Sequence, residues 1–337
     1  MQVAILSART GWHTSQLCRA LAERGHSGVV LPYEQLLARL GRTRLPGPGH
    51  LRSESSGAQG GPGRHADSPG PGGPGVRSGE LRSAGLPLLA ADAVLARIIP
   101  AGSLEQIIYR VDALHWIEER GIPVMNSPRA IERSVDKFYT DALLTEAGVP
   151  TPPTVVCESV DAAVDAVREM GAVVIKPIFG SMGHGLVRLS DPDTAWRVLR
   201  ALAQVRSVFY VQQAIDHDGR DVRAFVCGGR VVGAIERIAP PGEWRSNVSR
   251  GATARSTVLP AAWAALAVRA AEVVGADYAG VDLLPSGDEA PFVLEVNGIP
   301  GWEGLQSATG IDVAGALVDH LLLKISARQA PSPELTP

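Results

Sequence analysis

The chain has 337 residues, more than one ordinary domain, which predicts two or three domains. Its formal net charge of −3 offers no polycationic surface for nucleic acid or membrane, and three widely spaced cysteines argue against a disulfide framework or a CxxC zinc site. The sequence lacks a signal-peptide pattern and a bilayer-length apolar run, so we expect a cytoplasmic protein with neither nucleic-acid nor membrane partners.

Residues 1–127 predict an N-terminal α/β domain with about three strands. Four segments have strand character for this layer of about three strands, namely VAIL, SGVVLP, ADAVLARII and PVMN, and the helices TSQLCRALAERG and LEQIIYRVDALHWIEERG end at Gly25 and Gly121. The loop SARTGWHT has no GxGxxG pattern, which argues against dinucleotide binding. Residues 42–85 are rich in Gly and Pro and poor in apolar residues, so we predict a disordered insertion there.

Residues 128–213 and 214–327 predict two further units, followed by a flexible tail at 328–337. The first contains a helix that opens with a proline and stops at Gly148, then strands and helices around AVVIKP, GLVRL and VFYVQQAI. The second is richer in strands, with DVRAFVCGG, RVVGAIERIA and the hairpin YAGVDLLPSGDEAPFVLEVN between two long helices. The chain therefore combines α/β and α+β organisation.

The segment VVIKPIFGSMGHG places Lys176 beside a glycine-rich loop. Only three of the 32 basic residues are lysines, namely Lys137, Lys176 and Lys324. A lysine retained in such an arginine-rich chain favours a site that needs a compact ammonium group. A phosphate-binding loop and an ordinary hairpin turn both fit this segment.

The hairpin near the C-terminus carries a candidate metal site. Alternation in PFVLEVN places Glu295 and Asn297 on one strand face, and Leu294 with the apolar residues at every second position on the other. In the partner strand, Asp282 lies between two residues expected in the core. Oxygen donors from paired strands suit magnesium that bridges phosphates. The alternative is the solvated face of a half-exposed sheet, but asparagine is depleted in strands, which favours the metal site.

Seven segments in this order resemble the ATP-grasp superfamily and, within it, the RimK-type α-L-glutamate ligases. They are VDKFYTDALLTEAGVPTPPT, VVIKPIFGSMGHG, VQQAI, RDVRAFVCGGRVVGAIER, WRSNVSRG, GVDLL and EVNGIPGWEG followed by TGIDVAG. The resemblance implies an ATP-grasp fold behind an N-terminal pre-ATP-grasp α/β domain. It also implies ATP and magnesium as cofactors.

The resemblance assigns a role to each matching residue. Those assigned to ATP are Lys137, Lys176, Gly180, Ser181, Gly183, Gly185, the hinge Gln212, Gln213, Ala214 and Ile215, the ribose ligand Asp221, and Arg245, Ser246 and Asn247. Those assigned to two magnesium ions, for which manganese could substitute, are Asp282, Glu295 and Asn297. Those assigned to catalysis are Lys176, Arg245 and Arg250, with Arg223 and Arg237 as further forks for carboxylates and phosphate. Trp302 fits either core packing or an acceptor pocket.

The activity implied by the resemblance is an ATP-dependent ligation of L-glutamate to an acceptor carboxylate through an acyl phosphate, with release of ADP. The segment DAVLARIIPAGSLEQIIYRVDALHWIEERGIPVMNSP resembles versions associated with tetrahydromethanopterin-type pterins, and a protein C-terminus or another cofactor is the alternative acceptor. Small-molecule substrates and a homodimer agree with the resemblance. A dinucleotide-dependent oxidoreductase and a non-catalytic nucleotide sensor are the alternatives from other classes.

Overall fold

The secondary structure is known from a computed structural model, which describes residues 1–41, 79–180, 185–246, 251–287 and 290–329. The strands are β1 Gln2–Ser7, β2 Ser27–Pro32, β3 Leu36–Leu40, β4 Gly79–Ser83, β5 Leu86–Pro87, β6 Ala93–Ala96, β7 Val124–Met125, β8 Thr154–Cys157, β9 Val173–Lys176, β10 Val187–Leu189, β11 Phe209–Gln213, β12 Arg220–Cys227, β13 Arg230–Ile238, β14 Thr253–Ser256, β15 Tyr278–Leu284 and β16 Phe292–Asn297. The α-helices are α1 Trp12–Glu23, α2 Leu104–Glu119, α3 Pro128–Val135, α4 Lys137–Glu146, α5 Val160–Met170, α6 Pro192–Gln204, α7 Ala261–Val274, α8 Glu303–Thr309 and α9 Val313–Gln329.

The N-terminal layer is a parallel sheet in the order β2-β1-β6-β7. All four predicted strand segments belong to it, one more than the expected total of about three strands, and the two-residue strand β7 within PVMN pairs with β6 to complete the sheet. Alternation along β1 sends Val3 and Ile5 towards α1 and α9, while Ala4 and Leu6 pack on the α2 side. The α2 helix begins at a capping box, in which Ser103 accepts from the amide of Gln106.

The predicted boundary of the insertion at residue 85 is wrong. Residues 79–83 form β4, which pairs antiparallel with β3 and turns back through Gly85 into β5. Leu81 and Ser83 are buried at alternate positions, and the Ser83 hydroxyl donates to the carbonyl of Pro32 at 2.7 Å. The short GELRS segment therefore has the strand periodicity that the Gly/Pro-rich stretch before it obscured. Residues 42–78 and 330–337 lie outside the described residues, and so does most of the predicted tail.

A second sheet is antiparallel, in the order β10-β9-β11-β8, and packs against α5 and α6. Both helices begin at side-chain caps: Ser159 accepts from the amide of Ala162, and Asp191 accepts from the amide of Thr194. The α6 helix also has proline at its first position, where the missing N–H costs nothing. This unit contains the strand that ends at Lys176.

A third sheet is antiparallel, in the order β14-β13-β12-β15-β16. One face packs against α4 and α7, and the other shares a hydrophobic core with the N-terminal layer through residues such as Phe225 and Leu317. Buried Asn126 adds a polar link, because its Nδ2 donates to the carbonyls of Tyr278 at 2.7 Å and Gly298 at 2.5 Å. Its Oδ1 accepts from the amide of Tyr278 at 3.1 Å.

The single helix predicted after residue 127 is two helices, α3 and α4. Asp136 leaves the helical conformation with ψ 102°, and its side chain caps α4 by accepting from the amide of Tyr139 at 3.0 Å. Both helices pack on the side of the five-stranded sheet, whereas the predicted unit 128–213 grouped them with the four-stranded one. The domain boundaries stay predictions. Within the described ranges, no helix combines the length and apolar character that crossing a bilayer requires.

Candidate active site

A cleft opens between the four-stranded and five-stranded sheets. It brings together residues that are widely separated in sequence, including most of those predicted to bind ATP. The predicted residues that line it are Lys137, Lys176, Gly180, Gln212, Gln213, Ala214, Ile215, Asp221, Arg237, Arg245, Ser246, Asp282 and Glu295. Four other predicted residues, Ser181, Gly183, Asn247 and Arg250, lie outside the described residues.

Lys137 reaches across the cleft from the first turn of α4. Its Nζ donates to the carbonyl of Gly180 at 2.8 Å and lies 3.4 Å from Oε1 of Glu295. The helix break at Asp136 is what aims this lysine, because it makes Lys137 the first residue of a new helix. One ammonium group thus contacts both the start of the glycine loop and the carboxylate of a predicted metal ligand.

Lys176 is the last residue of β9, and its side chain lines the cleft. Its Nζ donates to Oε1 of Gln212 at 2.5 Å and lies 5.8 Å from the ring centroid of Tyr210. Burial lowers the pKa of Lys176 to about 8, and the carboxylates of Glu295 and Asp141 oppose that shift. The two lysines therefore form a cationic floor suited to the phosphates of a nucleotide.

Asp141 and Tyr210, which the sequence analysis did not single out, lie behind the cleft wall and are hydrogen-bonded to Gln212, which lines it. The hydroxyl of Tyr210 donates to Oδ2 of Asp141, and burial raises the pKa of Asp141 against the opposing effects of this bond and of the lysines. The signal available in the sequence was the spacing of Lys137 and Asp141, four residues apart on one face of α4. Arg188, on the wall formed by β10, was also missed.

A buried ion network crosses β12, β13 and β15. Arg223 holds Asp282 by two bonds, Nε to Oδ1 at 2.6 Å and Nη2 to Oδ2 at 2.7 Å. Arg237 lies 2.9 Å from Oδ2 of the same aspartate and also forks onto Asp221, with Nε 2.6 Å from Oδ1. Burial opposes ionisation of Asp282, but the two arginines outweigh it and lower its pKa to about 2. The guanidinium groups of Arg223 and Arg237 were expected to face substrate. They instead bind the protein's own carboxylates, those of Asp221 and Asp282.

The three predicted metal ligands lie on adjacent strands. Asp282 is directly opposite Glu295, and Asn297 is opposite Gly280. Asp282 and Glu295 line the cleft, whereas Oδ1 of Asn297 accepts from the amide of Ile299 at 3.0 Å. No group of three or more His, Cys, Asp and Glu side chains placed to hold a metal occurs in the part of the chain that is described. The donor set consists of two carboxylates and one amide oxygen, which fits magnesium by its chemistry.

Leu294 is on a different face from the one predicted. The register between β15 and β16 shifts after Asp282, so Glu295 pairs with Asp282 while Val293 pairs with Leu283. The extra residue is Leu294, which lines the cleft beside Glu295, and Val293 is fully buried in the core. In a β-bulge, two residues of one strand lie opposite one residue of its partner, so the strict alternation of side chains between the two faces is broken.

Part of the predicted hinge, Gln212 to Ile215, is already hydrogen-bonded within the four-stranded unit. The Gln212 side chain is 2% exposed, and the amides of Gln213 and Ala214 donate to the carbonyls of Pro153 at 2.8 Å and Ala172 at 2.9 Å. These two N–H groups therefore face away from a nucleotide. Gln213, Ala214 and Ile215, at the end of the segment, all line the cleft.

Arg245 and Ser246 line the cleft, and Gly185 lies beside the cleft residue Pro177. Arg245 forks onto Glu243 at 2.9 and 2.7 Å, and hydrogen bonds from Arg245 lower the pKa of Glu243 to about 2. Ser246 is buried and hydrogen-bonds to Asp221. Gly185 has φ +73°, a conformation that L side chains rarely adopt, and lies beside Pro177.

Trp302 packs in the core. It is 1% exposed, with the guanidinium of Arg97 4.7 Å from its ring centroid and the ring of His13 4.6 Å away, edge to face. Its amide donates to Nε2 of His13 at 3.1 Å. Of the two alternatives left open for this residue, the structure supports packing between the N-terminal layer and the loop after β16.

Comparisons with known proteins agree with this geometry. A family model for the RimK-like ATP-grasp domain matches residues 134–321. The tetrahydromethanopterin:alpha-L-glutamate ligase of Methanosarcina acetivorans is 37% identical over 257 residues, which cover 68% of this chain and 79% of that protein. A probable alpha-L-glutamate ligase 2 of Hahella chejuensis is 33% identical over 326 residues, which cover 96% and 95%. The crystal structure of a RimK domain ATP-grasp protein from Sphaerobacter thermophilus matches with a TM-score of 0.62 at 25% identity, covering 96% of this chain and 100% of that chain.

The fold is that of the ATP-grasp enzymes, which are ATP-dependent, ADP-forming ligases of C–N bonds. Within that class, the chain belongs to the RimK-like family, and its curated relatives are α-L-glutamate ligases. The predicted fold class and enzyme class are therefore confirmed, at the expense of the oxidoreductase and sensor alternatives.

Proposed function

We propose that this enzyme joins L-glutamate to the carboxylate of an acceptor molecule, at the expense of ATP. The observation that carries the proposal is the convergence of Lys137 and Lys176 with Asp282 and Glu295 in one cleft. Cations that can hold phosphates and carboxylates that can hold magnesium are the two parts a phosphoryl transfer needs, since it asks the protein chiefly for positioning and charge neutralisation.

Each group has a role in that reaction. Lys137 and Lys176 would bind the phosphate oxygens of ATP, and the apolar side chains of the cleft, Val174, Ile215 and Leu294, would enclose its base. Asp282 and Glu295, with Asn297 beside them, would hold magnesium, which when bound neutralises charge on the phosphate oxygens. We propose two such ions and manganese as a substitute. Arg245 would face the reacting groups at the cleft mouth.

The reaction follows from these roles. A carboxylate oxygen of the acceptor attacks the γ-phosphorus of ATP, the bond to the β-phosphate oxygen breaks, and ADP leaves. The neutral amine of glutamate then attacks the acyl carbon, the amide bond forms, inorganic phosphate departs and the amine releases a proton to solvent. No side chain forms a covalent bond in this scheme, so the protein's contribution is to hold both substrates in line.

A pterin-type cofactor resembling tetrahydromethanopterin is the acceptor we favour, and the name of the Methanosarcina acetivorans relative supports it. A protein C-terminus or another cofactor is the alternative. The enzyme would be incubated with ATP, magnesium, glutamate and either the pterin or a set of peptides with free C-termini. A mass increase of one glutamyl residue on the pterin is expected, and an increase on peptides alone would exclude this acceptor.

The activity itself needs its own control. Lys176→Ala and Glu295→Ala should lose acceptor-dependent ADP release while keeping the fold. Wild-type protein that releases no ADP with any acceptor, or variants that retain full activity, would overturn the proposed function. We also propose a homodimer and a cytoplasmic location, which light scattering and fractionation would check.

A further inference from the structure

Three hydrogen bonds connect Asp141 to Lys176 behind the cleft wall, and a fourth, longer one joins Nε2 of Gln212 directly to Oδ2 of Asp141 at 3.5 Å. The hydroxyl of Tyr210 donates to Oδ2 of Asp141. Nε2 of Gln212 donates to the Tyr210 oxygen at 3.0 Å, and Nζ of Lys176 donates to Oε1 of Gln212 at 2.5 Å. The chain of bonds therefore begins at a carboxylate and ends at a lysine that lines the cleft.

Counting protons fixes the direction of these bonds. A carboxylate only accepts, so the single hydroxyl proton of Tyr210 is directed to Asp141 and the tyrosine oxygen can only accept from Gln212. Thr154 places the same requirement on Gln212. Its hydroxyl donates its only proton to the carbonyl of Pro152 at 2.8 Å, so its oxygen can only accept from Nε2 of Gln212, at 2.9 Å. Both neighbours thus require the nitrogen of the Gln212 amide, and its oxygen is left to face Lys176.

We infer that Asp141 is a positioning residue for ATP binding, which acts through Tyr210 to orient the Gln212 amide so that its oxygen holds the Lys176 ammonium at the cleft wall. This inference rests on the proposed role of Lys176 in binding the phosphates. Gln212 is 2% exposed, so its side chain does not itself face the nucleotide. The amide acts on ATP only by where it places the lysine.

The location of Asp141 makes this role more than local packing. It lies on α4, which packs against the five-stranded sheet, whereas Tyr210 and Lys176 belong to the four-stranded sheet. Lys137 is one helical turn before Asp141 on the same helix face. A single helix thereby carries one phosphate-binding lysine and sets the position of the other, although the second lies on the opposite side of the cleft.

Asp141→Asn tests the direction of the relay with little change in shape. The asparagine amide can donate to Tyr210, which frees the tyrosine proton to turn towards Gln212. If the Thr154 hydroxyl also turns from the Pro152 carbonyl to donate to Gln212, the Gln212 amide can reverse and present its N–H groups to the ammonium of Lys176. The dissociation constant for a nonhydrolysable ATP analogue with magnesium should rise about tenfold, the scale of one hydrogen bond to a charged group. Calorimetric titration measures it.

The double variant Asp141→Asn with Gln212→Glu should recover most of that affinity. A glutamate at 212 accepts on both sides, from Tyr210 and from Lys176, and it returns to the cluster the negative charge removed at 141. A role limited to tying two sheets together would not be restored by moving the charge to a different strand. Asp112→Asn, an exposed change on α2, is the matched control and should bind ATP as the wild type does.

The outcomes separate the inference from the proposed function. If the wild type does not bind the analogue, or Lys176→Ala binds it equally well, the proposed function fails. If those two behave as expected but Asp141→Asn binds like the wild type, or the double variant binds no better than Asp141→Asn, the inference fails. Should Asp141→Asn not fold, Tyr210→Phe replaces it: a tenfold loss supports the inference and unchanged affinity overturns it.

Discussion

Lys137 and Glu295 meet across the cleft, with the ammonium nitrogen 3.4 Å from Oε1 of the carboxylate. The first belongs to a short helix and the second to the last strand of the five-stranded sheet. Their contact places the cation proposed to bind phosphate next to the carboxylate proposed to bind magnesium, so both groups would act on the same part of ATP.

Glu295→Gln should therefore weaken magnesium binding and raise the magnesium concentration that ATP binding requires. The amide keeps one oxygen donor but loses the charge, and the magnesium concentration for half-maximal binding should rise roughly tenfold. Magnesium titrations at fixed ATP analogue measure this. Glu119→Gln, exposed on α2, serves as the control, and identical magnesium curves for both variants would contradict the assignment.

Arg237→Met should destabilise the protein because it leaves Asp221 and Asp282 short of a buried partner. Removing one member of a buried ion pair costs about 3–5 kcal/mol in the free energy of unfolding. Arg220→Met is the matched control on the neighbouring strand: its partners Asp218 and Glu236 are at the surface, and the expected cost is within about 1 kcal/mol. Urea unfolding of both variants measures the two costs. Equal unfolding midpoints would show that the buried ion network does not stabilise the protein more than the surface pairs do.

Leu294→Ala and Val293→Ala should have opposite consequences, although the residues are adjacent. Leu294 lines the cleft at the bulge, so its truncation should lower ATP affinity roughly fivefold and leave stability nearly unchanged. Val293 is fully buried, so its truncation should cost about 2 kcal/mol of stability with ATP affinity preserved. Thermal unfolding and ATP titrations on both variants test this. If Leu294→Ala instead lowered stability and Val293→Ala lowered ATP affinity, the strand would alternate strictly, as the sequence predicts.

ATP binding should weaken as pH rises above about 8. Lys176, with its pKa lowered from 10.5 to about 8 by burial, loses its proton in that range and with it the attraction to phosphate. Between pH 8 and 10.5 the unfolded chain holds the Lys176 proton more tightly than the folded one, so this residue's contribution to folding stability becomes more favourable as pH rises. Analogue titrations at several pH values test the binding.

Lys176→Met provides the comparison for that pH profile. It should bind ATP more weakly at pH 7, yet show a flatter dependence above pH 8 because the titrating group is gone. A variant whose curve falls as steeply as that of the wild type would assign the effect to a different group.

The parts of the site that the sequence predicted are those that local patterns specify. Lys176 beside the glycines, and Asp282 between Val281 and Leu283, follow from strand periodicity, and both flanking residues are fully buried as expected. The hairpin of β15 and β16 follows from two apolar runs around a turn. Side chains that periodicity directs into the cleft could therefore be named in advance.

The parts that escaped prediction depend on pairing between segments. The bulge at Leu294 exists only relative to β15, and a strand's own sequence does not fix the register of its partner. The forks of Arg223 and Arg237 were expected to face substrate, but the carboxylates opposite them are set by strand order. Asp141 and Tyr210 come from a helix and a strand far apart in sequence, so their bond was invisible before the fold was known.

The links of Asn126 to Tyr278 and Gly298 have a consequence for motion. Together with the shared core, they join the N-terminal layer and the five-stranded sheet into one body. The chain enters the four-stranded unit between α4 and β8 and leaves it between β11 and β12. A rotation of that smaller unit would therefore be absorbed at two crossings, residues 147–153 and 214–219, and would break the bonds of Lys137 to Gly180 and of Tyr210 to Asp141.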